Sequence, residues 1–245
     1  LGAVWPLRDF LGAADEVLIV NGDSLCRWPF RALAARHRRT GAAATLLVAD
    51  RADPAAFGGG IALARDGRVL AFRSAALVTG LARRRRVFAG AQIWRPELLA
   101  RVGEGYADTV EALYQPLLAA GEPLQTLATR RPWHDLGTPA RYLAGALAWG
   151  LAGLLPGGVR LGPGATIARA ARVRGSVLEA GAAVAAGARV EGSLLLPGAR
   201  VGAGARITGA ILGPGVEVAP GTVVAGELLT AGPDGPPLAT PLDSV

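Results

Sequence analysis

Aliphatic residues return at a fixed interval through the second half of the chain. Ile167, Val184, Val201 and Val218 form one column at seventeen-residue spacing; Val173, Val190, Ile207 and Val224 form a second, and Leu178, Leu195 and Leu212 a third. Glycines keep the same interval at Gly164, Gly181, Gly198 and Gly215, and again at Gly175, Gly192 and Gly209. Neither an α-helix nor an antiparallel strand has this period. The pattern predicts stacked coils that turn three corners each, with the columns pointing inward to one continuous core. Glycine suits the corners, where positive φ penalises a residue with a Cβ.

The first half alternates differently. Glu16–Val20 is a short apolar run that predicts a strand buried on both faces of a parallel sheet, ending at the polar turn Asn21-Gly22-Asp23. A helix is expected over Phe30–Arg39 with Gly41 as its stop, then a buried strand over Thr45–Ala49. Ile61–Ala64 and Val69–Phe72 flank an Asp-Gly turn and predict a hairpin. Val87–Trp94 and Leu124–Thr129 read as further strands, and Pro96 suits a first helical turn. Asp108 and Glu111 have capping-box spacing before a helix over Val110–Leu118, which makes Asp108 a cap. Thr138-Pro139 opens a helix, Ala140–Ala148, that leads into the coils.

This order predicts an α/β domain with a mostly parallel sheet over residues 1–155, coils over 156–230 and a tail over 231–245. The tail is rich in Pro and Gly, and is expected to be poorly ordered or a loose edge cover.

Composition narrows the function classes. At 245 residues and 51% hydrophobic content the chain can build two ordinary cores. The formal charge is +7 and every basic residue is an arginine. These arginines are scattered and rarely accompanied by aromatics, so biased composition explains them better than nucleic-acid binding. A single cysteine, Cys26, excludes an internal disulfide and fits a reducing, cytoplasmic setting. The longest apolar run, Leu143–Leu155, is too short and too interrupted by glycine for a membrane span, which needs about 20 residues.

Two aspartates stand out by position. Asp23 follows the carboxyl end of an apolar strand, where open α/β sheets place their ligands. Asp135 lies in Trp133-His134-Asp135-Leu136-Gly137-Thr138, just before a helix. Two carboxylates meeting at a strand-end crevice could hold Mg²⁺, which binds one or two carboxylates plus phosphate oxygens. Taken singly, each is better explained as a turn or cap residue.

The segments Val17–Asp23 (VLIVNGD), Phe57–Val69 (FGGGIALARDGRV), Val87–Leu99 (VFAGAQIWRPELL) and Trp133–Leu143 (WHDLGTPARYL) occur in the order found in one family. Together with Leu194–Ile207 (LLLPGARVGAGARI), they make the chain resemble the sugar-1-phosphate nucleotidylyltransferases, or NDP-sugar pyrophosphorylases. The likeness is to the mannose-1-phosphate guanylyltransferase-like branch with a C-terminal left-handed β-helix. It implies a partial Rossmann-like nucleotidyltransferase domain followed by a left-handed parallel β-helix of hexapeptide-type coils. It also implies a nucleoside triphosphate, GTP or a uridylyl donor, and a sugar-1-phosphate as substrates, with Asp23 and Asp135 as catalytic Mg²⁺ ligands. Asn21 and Gly22 would line the same turn, and Gly59 and Gly90 would let the backbone approach the sugar. The coils would favour a homo-oligomer.

The chain departs from the family in two places. Leu1-Gly2-Ala3 resembles the end of the family's G-T-x-G-A turn, so the Gly-rich loop with its Arg and Lys is expected to be missing and the chain to be inactive as it stands. Where many relatives carry Glu-Lys-Pro, this chain has Arg73-Ser74-Ala75-Ala76. Arg73 or the run Arg83–Arg86 could meet a phosphate instead, although such a run more often forms a solvated loop. The missing Glu-Lys pair also motivates a non-catalytic regulatory relative that binds NDP-sugar. Acyl transfer, common among hexapeptide coils, would need a coil histidine, and the only histidines, His37 and His134, lie upstream. His134 is expected to pack.

Overall fold

The computed structural model of the protein describes residues 1–50, 52–73, 84–232 and 235–243. It divides into two compact units, Leu1–Trp133 and His134–Val245.

The first unit opens with a short 3-10 turn and the helix α1 (Arg8–Leu11), then builds a six-stranded sheet. Its strands are β1 (Val17–Val20), β3 (Ala44–Ala49), β4 (Ile61–Leu63), β5 (Val69–Phe72), β6 (Arg84–Trp94) and β7 (Leu124–Thr129); the three-residue β2 (Ser24–Cys26) lies outside it. The sheet runs β5-β4-β6-β3-β7, and β1 also pairs with β6. Only β3 and β7 are parallel; β1, β3 and β4 all run antiparallel to β6, and β4 to β5. The sheet is therefore mixed, which corrects the expectation of a mostly parallel one. Strand–helix–strand order identified the α/β class, but it carries no information on the direction of the eleven-residue β6 to which most of the sheet is hydrogen-bonded.

Strand β1 corrects a second expectation. Val17 is buried, but Leu18 and Val20 are 44% and 39% exposed, so the strand is covered on one face only. Because its exposed positions are aliphatic too, the period of two was invisible in the sequence.

The hairpin β4–β5 forms as expected, with Gly67 at φ +86° in its turn. Helix α2 (Phe30–Thr40) stops at Gly41 in the left-handed region, whose N–H bonds the His37 carbonyl. Leu33 of α2 packs with Leu47, Ala49 and Ile93 on one sheet face, while Leu46 and Val48 join the larger core on the other. The helix expected over Val110–Leu118 starts as a wide π turn, Val110–Tyr114, and continues as α3 (Gln115–Ala119). Pro116 has no N–H to continue the regular ladder, which accounts for the widened turn before it.

In the second unit, strand β8 (Trp133–Asp135), which straddles the unit boundary, leads into α4 (Pro139–Gly150), capped by Thr138 Oγ1 accepting the Arg141 N–H. A parallel β-helix of about four turns follows. All three aliphatic columns pair in register from coil to coil: Ile167 with Val184, Val201 and Val218; Val173 with Val190, Ile207 and Val224; Leu178 with Leu195, Leu212 and then Leu229. The corner glycines adopt positive φ as expected; Gly198, at +74°, donates its N–H to the Ala180 carbonyl of the preceding coil.

The sequence reading missed a fourth column. Val177, Leu194, Ile211 and Leu228 alternate with the inward leucines of one face and point outward, where Leu143, Ala146, Leu147 and Leu151 pack with them. Buried on both sides, this face is the one to which α4 is fixed. In the tail, Leu238–Pro241 pairs antiparallel with Glu227–Thr230, and Leu242 is buried, so the described part covers the edge. Among the described residues no helix is long and apolar enough to cross a membrane.

Candidate functional site

A cavity of about 340 Å³ opens in the first unit, lined among others by Asn21, Gly60, Phe72, Arg73, Gln92, Asp108 and Tyr114. Asn21 arrives at the end of β1, held by its N–H on the Gly90 carbonyl at 2.7 Å. Between Leu46 and Val48 of β3 the register with β6 slips, and the bulged segment of β6 contains Gly90 at φ +79°. A Cβ there would lie 2.4 Å from Ser24 Oγ and 2.7 Å from Ser24 Cβ. Gly90 thus seats the Asn21–Ser24 turn against the sheet and is not among the cavity's lining residues.

The cavity floor is a polar relay in an aromatic setting. Phe72 stacks on Tyr114 with centroids 5.3 Å apart. Trp94 Nε1–H, which can only donate, gives its proton to Tyr114 Oη at 2.8 Å; the hydroxyl in turn donates to Gln92 Oε1. Burial pushes the Tyr114 hydroxyl far above the ordinary phenol value, so it stays protonated and the relay keeps its direction.

At the rim, Arg73 is the one non-glycine among the described residues with positive φ, at +59°. Its guanidinium forks to Glu111 Oε1 and Asp108 Oδ2, both at 2.7 Å. Asp108 also caps, accepting the Val110 and Glu111 N–H groups on Oδ1. Burial raises the Asp108 pKa, but these N–H groups and Arg73 outweigh it and hold it below the usual carboxylate range. The capping role expected of Asp108 is present, and its ion pair was not legible from spacing. Arg73 is thereby bound by carboxylates instead of standing free for a phosphate. Ser74–Ala76 and Arg83 lie outside the described residues. Arg85 points to the same rim and braces it, donating from Nη1 to the Gly59 and Arg73 carbonyls at 2.8 and 2.6 Å. Gly58, Gly59 and Gly60 all take positive φ, and a Cβ on Gly60 would meet the Arg86 carbonyl oxygen at 2.5 Å.

Gly22 and Asp23 are exposed on the turn that Asn21 begins, and the Asp23 carboxylate has no hydrogen bond or ion pair among the described residues. Asp135, in the second unit, is engaged: Oδ1 accepts the Gly137 N–H at 2.9 Å and Oδ2 the Arg141 Nη1–H at 2.6 Å. His134 packs on α4, where a Cβ on Gly145 would come within 3.1 Å of its own. No group of three or more His, Cys, Asp or Glu side chains among the described residues gathers as a metal cage. Both aspartates nonetheless offer the hard oxygen donors that Mg²⁺ takes in ones and twos beside phosphate. The donor chemistry fits, with Asp135 having to share or release Arg141.

The model of the nucleotidyl transferase family matches residues 1–149, and that of the GlmU-like C-terminal hexapeptide matches residues 161–229. The chain belongs to the nucleotidyl transferase family. Among characterised proteins, it is 28% identical over 149 residues to the mannose-1-phosphate guanylyltransferase catalytic subunit beta of Dictyostelium discoideum, covering 59% of this chain and 40% of that protein. It is 26% identical over 151 residues to mannose-1-phosphate guanylyltransferase 1 of Arabidopsis thaliana, with the same coverage. The mannose-1-phosphate guanyltransferase of Schizosaccharomyces pombe is 27% identical over 149 residues, again 59% of this chain and 40% of the relative. The matched stretch thus spans about 40% of the length of these relatives.

Proposed function

We propose that the protein forms an NDP-sugar and pyrophosphate from a nucleoside triphosphate and a sugar-1-phosphate, with GTP and mannose-1-phosphate as the preferred pair. The observation that carries this reading is the uncommitted Asp23 on the turn whose first residue lines the cavity, inside the stretch that matches the nucleotidyl transferase family. The sugar choice follows the names of the relatives.

In the reaction a phosphate oxygen of the sugar-1-phosphate attacks the α-phosphorus of the triphosphate, and the bond to pyrophosphate breaks. Asp23 and Asp135 would hold Mg²⁺, which when bound neutralises phosphate charge and orients the attacking oxygen. The remaining work falls to the chain itself. Asn21 and Gly22 present the turn, Gly90 seats it, and the Gly58–Gly60 segment brings backbone close to the cavity where the sugar would lie. Arg73, pinned by Asp108 and Glu111, keeps the rim in place. The protein acts in the cytoplasm as a homo-oligomer built on its coils.

Asp23→Asn and Asp135→Asn test the assignment by pyrophosphate release over a panel of triphosphates and sugar-1-phosphates. Each is expected to lose about two orders of magnitude or more; wild-type rates in either variant remove that residue from the metal site. A regulatory, non-catalytic relative is the second reading, favoured by Arg73 at the cavity rim being already ion-paired to Asp108 and Glu111. NDP-sugar binding without pyrophosphate release from any triphosphate and sugar-1-phosphate pair would select it.

A further inference from the structure

Strand β6 carries arginines to both faces of the sheet. Arg85 braces the rim just described, and strand alternation sends Arg84 and Arg86 to the other side of β6 from it, the side of their register partners Leu63 and Ile61. There a second concavity of about 440 Å³ gathers Arg36 of α2, Arg65 of the hairpin turn, Arg84 and Arg86. Two carboxylates share it, and both are engaged. Asp50 receives Arg86 at 2.5 Å and Arg130 at 3.1 Å, and Asp66 Oδ1 accepts the Arg68 N–H at 3.1 Å. Arg36 gives Nη2 to the Asp66 carbonyl and to Gln125 Oε1, while its buried Nε has no hydrogen-bond partner among the described residues. The guanidinium groups of Arg65 and Arg84 have neither a hydrogen bond nor an ion pair among the described residues. Four cations against two carboxylates in one hollow leave a net positive potential that the low-dielectric walls concentrate.

We propose that this hollow binds the phosphoryl group of a small phosphorylated molecule, with Arg65 and Arg84 as its direct ligands and Arg36 and Arg86 forming the basic wall behind. Guanidinium forks match phosphate oxygens, and they bind most strongly where their donors are otherwise unused. The volume is that of a small-molecule site. The hollow shares no lining residue with the cavity containing Asn21 and stands independently of the nucleotidyltransferase reading.

Isothermal titration of the 245-residue chain with ribose 5-phosphate and with inorganic phosphate, at about 0.15 M ionic strength, tests it. The variant R65A/R84A is compared with R31A/R39A, which removes the same charge from exposed positions of α2. Wild-type protein is expected to show a saturable site for ribose 5-phosphate, weakened at least about tenfold in R65A/R84A and less than about twofold in R31A/R39A. Circular dichroism of both variants should match wild type. Absence of saturable binding, equal weakening by the two variant pairs, or no weakening by R65A/R84A overturns the site. Binding of inorganic phosphate alone overturns the assignment to a phosphorylated metabolite.

Discussion

The coils and the sheet unit bury their polar groups in opposite ways. Inside the second unit the buried polar side chains among the described residues are Ser176 and Ser193, one coil apart. They do the same thing: Ser176 Oγ donates to the Arg174 carbonyl and accepts the Ser193 N–H, and Ser193 Oγ donates to the Glu191 carbonyl and accepts the Ala210 N–H. The first unit buries His37, Thr45, Gln92, Gln125, Thr126 and Thr129, and no two of them repeat an environment. Regular stacking satisfies each coil with the next, so it makes a scaffold and leaves little unpaired. The sheet unit departs from regularity at the Gly90 bulge, at Arg73 and in the Trp94–Tyr114–Gln92 relay, and its cavity lies among those departures.

The largest expected stability effect probes the regular side of this contrast. Leu195 is fully buried in the middle of its column, so Leu195→Ala should cost about 2–5 kcal/mol in chemical denaturation. A loss below about 1 kcal/mol would mean the coils relax into the gap and are less tightly packed than their register implies.

Two glycines with nearly equal φ then separate the units. A Cβ at Gly198 meets its nearest atoms at 3.8 Å, so Gly198→Ala should cost only the conformational penalty, about 1 kcal/mol. Gly90→Ala adds the collision with Ser24 and should cost about 1–3 kcal/mol more, displacing the turn that carries Asp23. Thermal melts of the pair decide it; equal costs would show that the turn yields freely.

Arg73 sharpens the comparison further. Arg73→Ala loses two exposed ion pairs and keeps the positive φ, for a loss of about 1 kcal/mol. Arg73→Gly loses the same pairs but relieves the backbone, and should melt above the alanine variant by the equivalent of about 1 kcal/mol. An alanine variant as stable as the glycine one would remove backbone strain from the account of this rim.

The smallest effect is a slope. Burial lowers the His37 pKa below its ordinary value near 6.5, against an opposing pull from Glu16, and its Nδ1 pairs with Thr45 Oγ1 at 2.9 Å. The unfolded chain therefore takes up the proton first on acidification. Stability from this group is complete above about pH 6.5 and falls as pH drops from there through the folded value. Melting temperatures across that window should decline in wild type and flatten in His37→Gln.

The candidate site was only partly visible from one-dimensional patterns. Asp108 announced itself as a cap through its spacing to Glu111, yet nothing in the sequence joined it to Arg73, thirty-five positions away. Gln92 and Tyr114 looked like ordinary strand and helix residues; one signal was available in the donor-only Trp94, whose buried N–H needed an acceptor. The outward column Val177–Leu194–Ile211–Leu228 was also readable in principle, since one coil face alone carries paired aliphatics.

By itself the sequence determined the coils, their three inward columns, the glycine corners and the α/β order that precedes them. A coil touches only its neighbours, so a constant sequence interval is also a constant spatial one, and the contacts can be counted off along the chain. Tertiary structure decided the direction of β6, the half-exposure of β1, and which residues face the cavity. Those depend on pairing between segments far apart in sequence and on a bulge whose position no local pattern encodes, because each such contact occurs once and leaves no period behind.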